Sequence, residues 1–475
     1  MGFLDLREFI AAVDRLGMLR VVEGAHWELE IGAISQMMQE SEENPVLLFD
    51  KIPGYPAGFR VLTNHQNNPK KQALVLGIPT ELSDLEIARH MKEKRKQTDL
   101  IPPREVDSGP ILENQERGDK VNILKFPTPK WRTLEGGRYI GTTTLVINRD
   151  PDEGWVNMGC YRQMIHDGKS VGFFVEPHHH GMIIAKKYWA RGKACPVVAC
   201  YGQQAELFQA ATASAPWGKS ELEVAGGMAG HPIEIIKGEL TGLPIPARAE
   251  IAIEGEVPPP DVEARVEGPY REWPGYYSQE PHPQPVIKIK AVYHRNDPII
   301  LGCPPEKPPY EAHRYRVYLS SALLRREIRQ AGVPDVTAVW CHGVGGTRLL
   351  NVVAIKQRYP GHARQALHVA AMCRAGAYLG RLVIVVDDDI DVTDLDEVMW
   401  AVCTRSDPER SLDIIKRAWS GPLDSAIHPA EKGFNSRLLM DACRPYEWLD
   451  QFPPAIGPDP AYKRETREKW GWILK

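Results

Sequence analysis

The sequence predicts a mixed α/β chain, α+β overall, built from several domains. Three observations carry that expectation. Strand-like runs crowd together between residues 139 and 294, residues 310–332 read as one uninterrupted helix, and apolar strand runs alternate with helical ones after residue 335. At about 100–200 residues per domain, 475 residues give about three domains.

In order along the chain, Phe3, Leu6, Phe9, Ile10, Val13 and Leu16 recur at helical spacing, which predicts an N-terminal amphipathic helix. Residues 45–64 read as two short strands joined by a Pro/Gly turn, and 101–110 as a domain boundary. The runs 139–148, 154–162, 171–176, 195–202, 249–257 and 285–294 predict a β-rich sheet or barrel in the middle third. In the last of these, Ile287, Ile289, Ala291 and Tyr293 alternate with Lys288, Lys290 and His294, the pattern of a half-exposed strand. The helix 310–332 ends at Gly332. Beyond it, strands at 335–342, 349–356 and 381–391 alternate with helices at 361–377 and 395–405, which predicts a layered α/β domain. The tail after 445 ends in a short helix.

Composition excludes several classes. Hydrophobic residues make up 43% and charged residues 25%, the balance of a globular chain rather than a disordered or fibrous one. The 58 Lys+Arg against 62 Asp+Glu give a net charge of −4, with no basic surplus for nucleic acid. No apolar run approaches the ~20 residues needed to span a membrane, and Asp5, Arg7, Glu8 and Asp14 interrupt any signal-peptide core. The eight scattered Cys, with no CxxC, predict reduced thiols in a cytosolic protein.

Three segments carry candidate chemistry. Glu267-Gly268-Pro269-Tyr270-Arg271-Glu272 sets two carboxylates five apart around a Gly-Pro turn. A turn lets both converge on one pocket, where a partly dry pair raises one member's pKa. On spacing alone, two solvated loop acids remain open. Asn157, in the run Trp155–Arg162, is an amide in a strand-like stretch, and Arg162 offers a guanidinium fork for a carboxylate. His178, His179 and His180 cannot all face one way, so one or two at most coordinate a metal, and their spacing is not that of a zinc site. With Glu221 adding oxygen, an Asn, a His and a Glu form a hard set suited to Mg²⁺ or Mn²⁺. Gly343–Thr347 lacks a phosphate-loop Lys and reads as a turn, and Asp387–Asp389 as a solvated strand end.

Taken in order, these fragments resemble the UbiD-type family of (de)carboxylases that use prenylated FMN. NMGCYR (157–162) looks like the family's N-x-x-x-x-R segment, the His pair before Gly181 like its metal histidine, and SELEVAGGMAG (220–230) like its S-E-x-x-x-x-G-x-x-x-G stretch. EGPYRE (267–272) is similar to E-G-P-[FY]-G-E, with Arg271 in place of the usual Gly and Trp273 following as a bulky wall. Segments 352–363 and 383–405 resemble C-terminal signatures, and SRLLMDA (436–442) a phosphate-contacting segment, with Arg437 where many relatives have Lys.

The resemblance implies an N-terminal α/β region (1–110), a central split β-barrel like flavin reductases that binds prenylated FMN (111–308), a linking helix (309–332), a C-terminal α/β oligomerisation domain (333–450) and a tail (451–475). It implies that Asn157, His179 and Glu221 hold Mn²⁺, with K⁺ nearby, and that Arg162, Glu267 and Glu272 form the catalytic network. Met158, Gly159, Cys160, Tyr161, His178 and Arg437 would also meet the cofactor, with Tyr161 and His178 offering hydrogen bonds to a substrate ring heteroatom or hydroxyl. The implied activity is reversible, non-oxidative decarboxylation of an aromatic or heteroaromatic acid to release CO₂. A flavin prenyltransferase would supply the cofactor, and the enzyme would be a cytoplasmic homodimer or homohexamer. Two other readings are an accessory subunit of a carboxylase complex, disfavoured by the intact Arg162/Glu267/Glu272 set, and a metallohydrolase centred on His178–His180, disfavoured by the missing ligand spacing.

Overall fold

The computed structural model describes residues 2–41, 43–96, 100–212, 215–277, 280–457 and 460–474. Its N-terminal helix, Leu6–Arg15, starts where the Asp5 side chain accepts from the Glu8 amide, and it buries Leu6, Phe9, Ala12 and Val13. Strands Val46–Asp50 and Arg60–Thr63 pair antiparallel as the sequence predicts. Their sheet is completed from far away. Ile299–Leu301, after the central sheet, adds parallel to Arg60–Thr63. The N-terminal region is thereby tied to the end of the central one by backbone hydrogen bonds.

The central sheet has nine strands, and its hub is the 13-residue strand His282–His294. This strand pairs with Ile251–Val257, Ala264–Glu267, Ser170–Gly172 and Asn114–Arg117. The predicted alternation survives only at its middle, where Lys288 and Lys290 are accessible. His294 is buried instead, packed edge-on against Phe126 at 5.3 Å, because Asn114–Arg117 covers that end. The strand-like runs at 139–148 and 171–176 shorten to Leu145–Arg149 and Ser170–Gly172. The freed segments instead carry buried Tyr139 and Phe173 into the core.

Helix Glu311–Gln330 follows, and Gly332 at φ +92° lets the chain turn out of it. Leu324 and Ile328 pack on Val353, Val383 and Leu439 of a five-stranded sheet. In that sheet Leu350–Ile355, Leu382–Asp387 and Phe434–Ala442 run parallel, with antiparallel edges Val336–Cys341 and Leu412–Trp419. Helices His362–Met372 and Leu395–Arg405 cover opposite faces. Asp387 is buried, while Asp388 and Asp389 are exposed as expected of a solvated strand end. Asp387 and Asp389 both pair with Arg405, and Asp387 also takes Arg444, which closes the strand end. Gly343–Gly345 is one 3₁₀ turn. Among the described residues, no helix is long and apolar enough to cross a membrane.

Arg437 lies on Phe434–Ala442, almost wholly buried, and its terminal nitrogens donate to the carbonyls of Ala371, Ala377 and Trp419. These bonds stitch the C-terminal domain together, while its buried Nε makes none. Replacing it with Met strands three buried carbonyls, each worth about 1–3 kcal/mol. We expect Arg437→Met to lower the denaturation midpoint strongly while flavin content per folded protein stays at the wild-type level. Unchanged stability with lost flavin would restore a phosphate role.

Candidate active site

Arg162 sits where the central sheet meets the Glu267–Glu272 turn. Its Nε donates to Glu267 Oε1 at 2.7 Å and its NH1 to Glu272 Oε1 at 2.6 Å. The guanidinium plane lies over Phe174 at 3.6 Å and near Tyr270 at 4.6 Å. Flat packing on both rings fixes the fork, so the two carboxylates are held at defined positions on one cation. The sequence showed the three charged residues. It did not show the aromatic clamp, because Phe174 lies outside any motif.

The two carboxylates differ in environment. The Glu267 side chain has 0% exposure and that of Glu272 has 16%. Burial pushes the Glu267 carboxyl up, against the pull of Arg162, and its Oε2 has no hydrogen-bond partner. The two carboxylates hold the Arg162 charge up despite burial. Glu272 is therefore the member that can reach a bound molecule, and Glu267 the one that fixes the arginine.

The turn itself is anchored from below. Gly268 has φ +101°, and a Cβ on Gly136 would stand 1.9 Å from its carbonyl oxygen, so both positions need glycine. The Gly136 amide donates to Pro269 O at 3.1 Å. Arg271, the departure from the family pattern, does not enter the site. Its Nε donates to Glu135 at 2.9 Å and its NH1 pairs with Glu306 at 2.6 Å. Glu306 also holds Arg132, and Glu135 accepts from the amides of Trp131 and Arg132. A buried ionic lattice thus takes over the path of the loop.

A second cluster forms around Tyr161. Strand Val156–Gly159 packs against the start of helix His180–Trp189 and the start of helix Glu221–Ala229. Asn157 is buried, accepts no charge, and donates to Asn148 Oδ1 at 3.0 Å. The Tyr161 hydroxyl accepts from the Gly181 amide at 3.1 Å and bonds the Asn157 side chain, while its ring lies 6.0 Å from that of His179. That hydroxyl is therefore engaged by two neighbours inside the protein. A Cβ on Gly159 or Gly181 would strike the same ring.

Burial and the flanking His178 and His180 push the His179 imidazole down to about 4, so it is neutral and able to coordinate. His180 instead packs edge-on to Trp155 and Trp217, and His178 is exposed beside His179. The Glu221 carboxylate is buried. It accepts from the Met158 amide at 2.9 Å and from its own backbone amide, and no cationic side chain among the described residues opposes it. Burial raises it to about 7. Met158 therefore acts through its backbone, with its side chain in the core. Cys160 donates its amide to Ala211, and burial pushes its thiol to about 12, so it is chemically inert. A neutral imidazole, an amide and an uncompensated buried carboxylate fit a hard divalent cation.

Comparisons place this geometry among known proteins. Residues 10–91, 104–308 and 316–442 match the N-terminal, Rift-related and C-terminal domains of the 3-octaprenyl-4-hydroxybenzoate carboxy-lyase family, UbiD. The chain is 30% identical over 490 residues to a pyrrole-2-carboxylic acid decarboxylase from Pseudomonas aeruginosa, covering 98% of this chain and 97% of the relative. It is 31% identical over 462 residues to a phenolic acid decarboxylase from Bacillus subtilis, covering 94% and 93%. Its fold superposes on the UbiD-class enzyme HmfF from Pelotomaculum thermopropionicum, solved with FMN, with a TM-score of 0.86, 28% identity and coverage of 98% and 100%.

The lattice under the turn gives a direct expectation. Arg271→Ala leaves Glu135 buried without its cation, a loss of about 3–5 kcal/mol for a broken buried pair. A clear fall in thermal midpoint is expected, together with a fall in turnover as the Glu272 backbone loosens. Wild-type stability would show that the lattice does not hold the turn.

Proposed function

Since the chain belongs to the UbiD family of carboxy-lyases, we propose that it removes CO₂, reversibly and without net oxidation, from an aromatic or heteroaromatic carboxylic acid, using prenylated FMN and Mn²⁺. The observation that carries this reading is the buried Arg162 held between two carboxylates of unequal exposure. Decarboxylases of pyrrole-2-carboxylic and phenolic acids among its relatives support the substrate class.

The bound flavin would supply the electron sink that no side chain offers to a carbanion. Asn157, His179 and Glu221 would hold the metal, and the metal would neutralise the cofactor's phosphate. Arg162, kept charged by Glu267, faces the substrate carboxylate. Glu272 exchanges a proton at its accessible carboxyl oxygen, giving it to the ring carbon once CO₂ has left. The apolar faces of Phe174 and Tyr270 keep water from the guanidinium. The edge strand Leu412–Trp419 of the C-terminal sheet exposes Ile414 and Trp419 beside Phe434, which supports a homo-oligomer, a dimer or a hexamer. Light scattering should give a multiple of the monomer mass, and a stable monomer would remove that part of the reading.

Two variants test the chemistry. Glu272→Gln keeps size and most hydrogen bonds but carries no transferable proton. In flavin-loaded protein, turnover and solvent-deuterium exchange into the product C–H should fall by at least about 10²–10⁴-fold, with flavin content intact. Near wild-type exchange would remove Glu272 as the donor. His179→Ala should yield folded protein depleted of both Mn²⁺ and flavin. Full retention of both would show that the Tyr161 cluster is not the metal site.

A further inference from the structure

Next to Arg162, two neighbouring side chains each bury a polar atom that has no hydrogen-bond partner. One is Glu267 Oε2, and the other is the hydroxyl of Tyr139. Tyr139 is wholly buried. Its backbone is set by a bridge to Met164, two residues beyond Arg162, and its amide donates to Pro129 O at 3.1 Å. Its ring lies 4.3 Å from that of Tyr270, which also flanks the Arg162 guanidinium. Among the charged groups that act on the Tyr139 hydroxyl, Glu267 is the strongest, followed by Arg162 and Glu135, and the Gly268 amide is directed at the phenol oxygen. Burial, and after it the Glu267 charge, pushes this hydroxyl well up, so it keeps its proton and can donate it to a hydrogen bond.

The surroundings of Glu267 leave few other donors. Arg162 takes Oε1. His282, its partner across the strand pair, adds a favourable charge when protonated, but its two ring nitrogens are engaged by Glu280 O and by the Gln284 side chain. Gly172 closes on Oε2 itself, where a Cβ would stand 2.8 Å away, so strand Ser170–Gly172 brings no side chain to it. Glu272 shares Arg162, and Glu135 acts on Tyr139.

This arrangement contains a conflict. A bound acid adds a third carboxylate to one guanidinium, and three anions on one cation in a poorly solvated place take up a proton. For that proton to be delivered it must rest on Glu272, whose side chain is 16% exposed. Burial favours the neutral form more strongly at Glu267, whose side chain is 0% exposed, and there the proton cannot reach a substrate. A hydroxyl donated to Oε2 favours the ionised form of Glu267 and satisfies both orphaned atoms at once, with the Gly268 amide supporting the phenol oxygen.

We propose that Tyr139 is a positioning residue whose hydroxyl donates to Glu267 Oε2 and keeps that carboxylate ionised, so that the proton of the Arg162 network rests on Glu272. This inference rests on the decarboxylase reading and deepens it, because it assigns a group to the choice between the two carboxylates. Wholly buried, Tyr139 does not meet a bound acid and acts through Glu267. Without the hydroxyl, Glu267 holds a proton more tightly. Activity that needs Glu267 ionised is present above its pKa and is lost as pH falls through it, so the acid limb of the rate profile moves to higher pH.

The test compares flavin- and Mn²⁺-loaded wild type with Tyr139→Phe, which keeps the ring and removes only the hydroxyl. Infrared spectroscopy follows the carboxylic-acid C=O stretch as pH is lowered, and Glu267→Gln and Glu272→Gln assign the bands. Turnover is measured over the same range with a panel of aromatic and heteroaromatic acids that includes pyrrole-2-carboxylate and 4-hydroxybenzoate. In the wild type the Glu272 band should appear at higher pH than that of Glu267. In Tyr139→Phe the Glu267 band should move up by about one to two pH units, the tenfold to hundredfold change expected for one lost bond to a charged group. Turnover should fall by a similar factor, with its acid limb moved to higher pH and flavin content unchanged. A wild-type Glu267 band that precedes that of Glu272 overturns the proposal without any variant. A Glu267 band unmoved in Tyr139→Phe also overturns it, as does lost turnover with an unmoved acid limb, which would make Tyr139 a packing residue alone. If the wild type turns over no acid of the panel, the decarboxylase reading falls separately, and the infrared order by itself decides the role of Tyr139.

Discussion

The Arg162 guanidinium, buried between Glu267 and Glu272, is the constraint around which the rest of the structure is arranged. A buried cation is stable only if the fold holds its partners in place around it. Glu267 comes from the end of strand Ala264–Glu267, paired to the long central hub strand, so its position is set by the nine-stranded sheet. Glu272 comes from the turn beyond it, whose position is set by loop 131–136. Arg162 itself leaves the strand that also carries Asn157. One side chain thus ties together the sheet, the turn and the segment that supports the proposed metal site.

The turn shows how a departure from a family pattern can be absorbed. A glycine before the second glutamate would leave the backbone to find its own path. Here Arg271 fills that position and is directed away from the site onto Glu135 and Glu306. The cost of burying this arginine is offset only because two carboxylates and two backbone amides are already arranged below it. The charge next to Glu272 therefore acts as a foundation for the turn, paired with Glu135 and Glu306.

What was legible in the sequence follows from the range of the signal. Leu6–Arg15, Glu311–Gln330 and the alternating strands of the C-terminal sheet were readable because local periodicity decides them. The shortening of the runs at 139–148 and 171–176 was not, because what ends those strands is core packing of Tyr139 and Phe173 against distant elements. The Ile299–Leu301 addition to the N-terminal sheet was invisible for the same reason. Among site residues, the charged set was legible from motif order, while Phe174, Glu135 and Glu306 were not, since Glu135 reaches Arg271 and Glu306 reaches Arg132 across more than a hundred positions and Phe174 acts through its aromatic face. The carbonyl partners of Arg437 were not legible either, because position within a motif does not show where a guanidinium places its donors.

The site holds two regions with different electrostatic needs. Around Tyr161, Glu221 is a buried carboxylate opposed by no cationic side chain among the described residues and His179 is held neutral, so this region lacks positive charge. Arg162, by contrast, is compensated by Glu267 and Glu272. A buried carboxylate left without a cation is disfavoured on desolvation grounds, which is why a bound cation suits the first region. The compensated centre then has a different task. With its own charges balanced in advance, it can meet a carboxylate that departs as neutral CO₂ without having to rearrange when that charge moves to the ring.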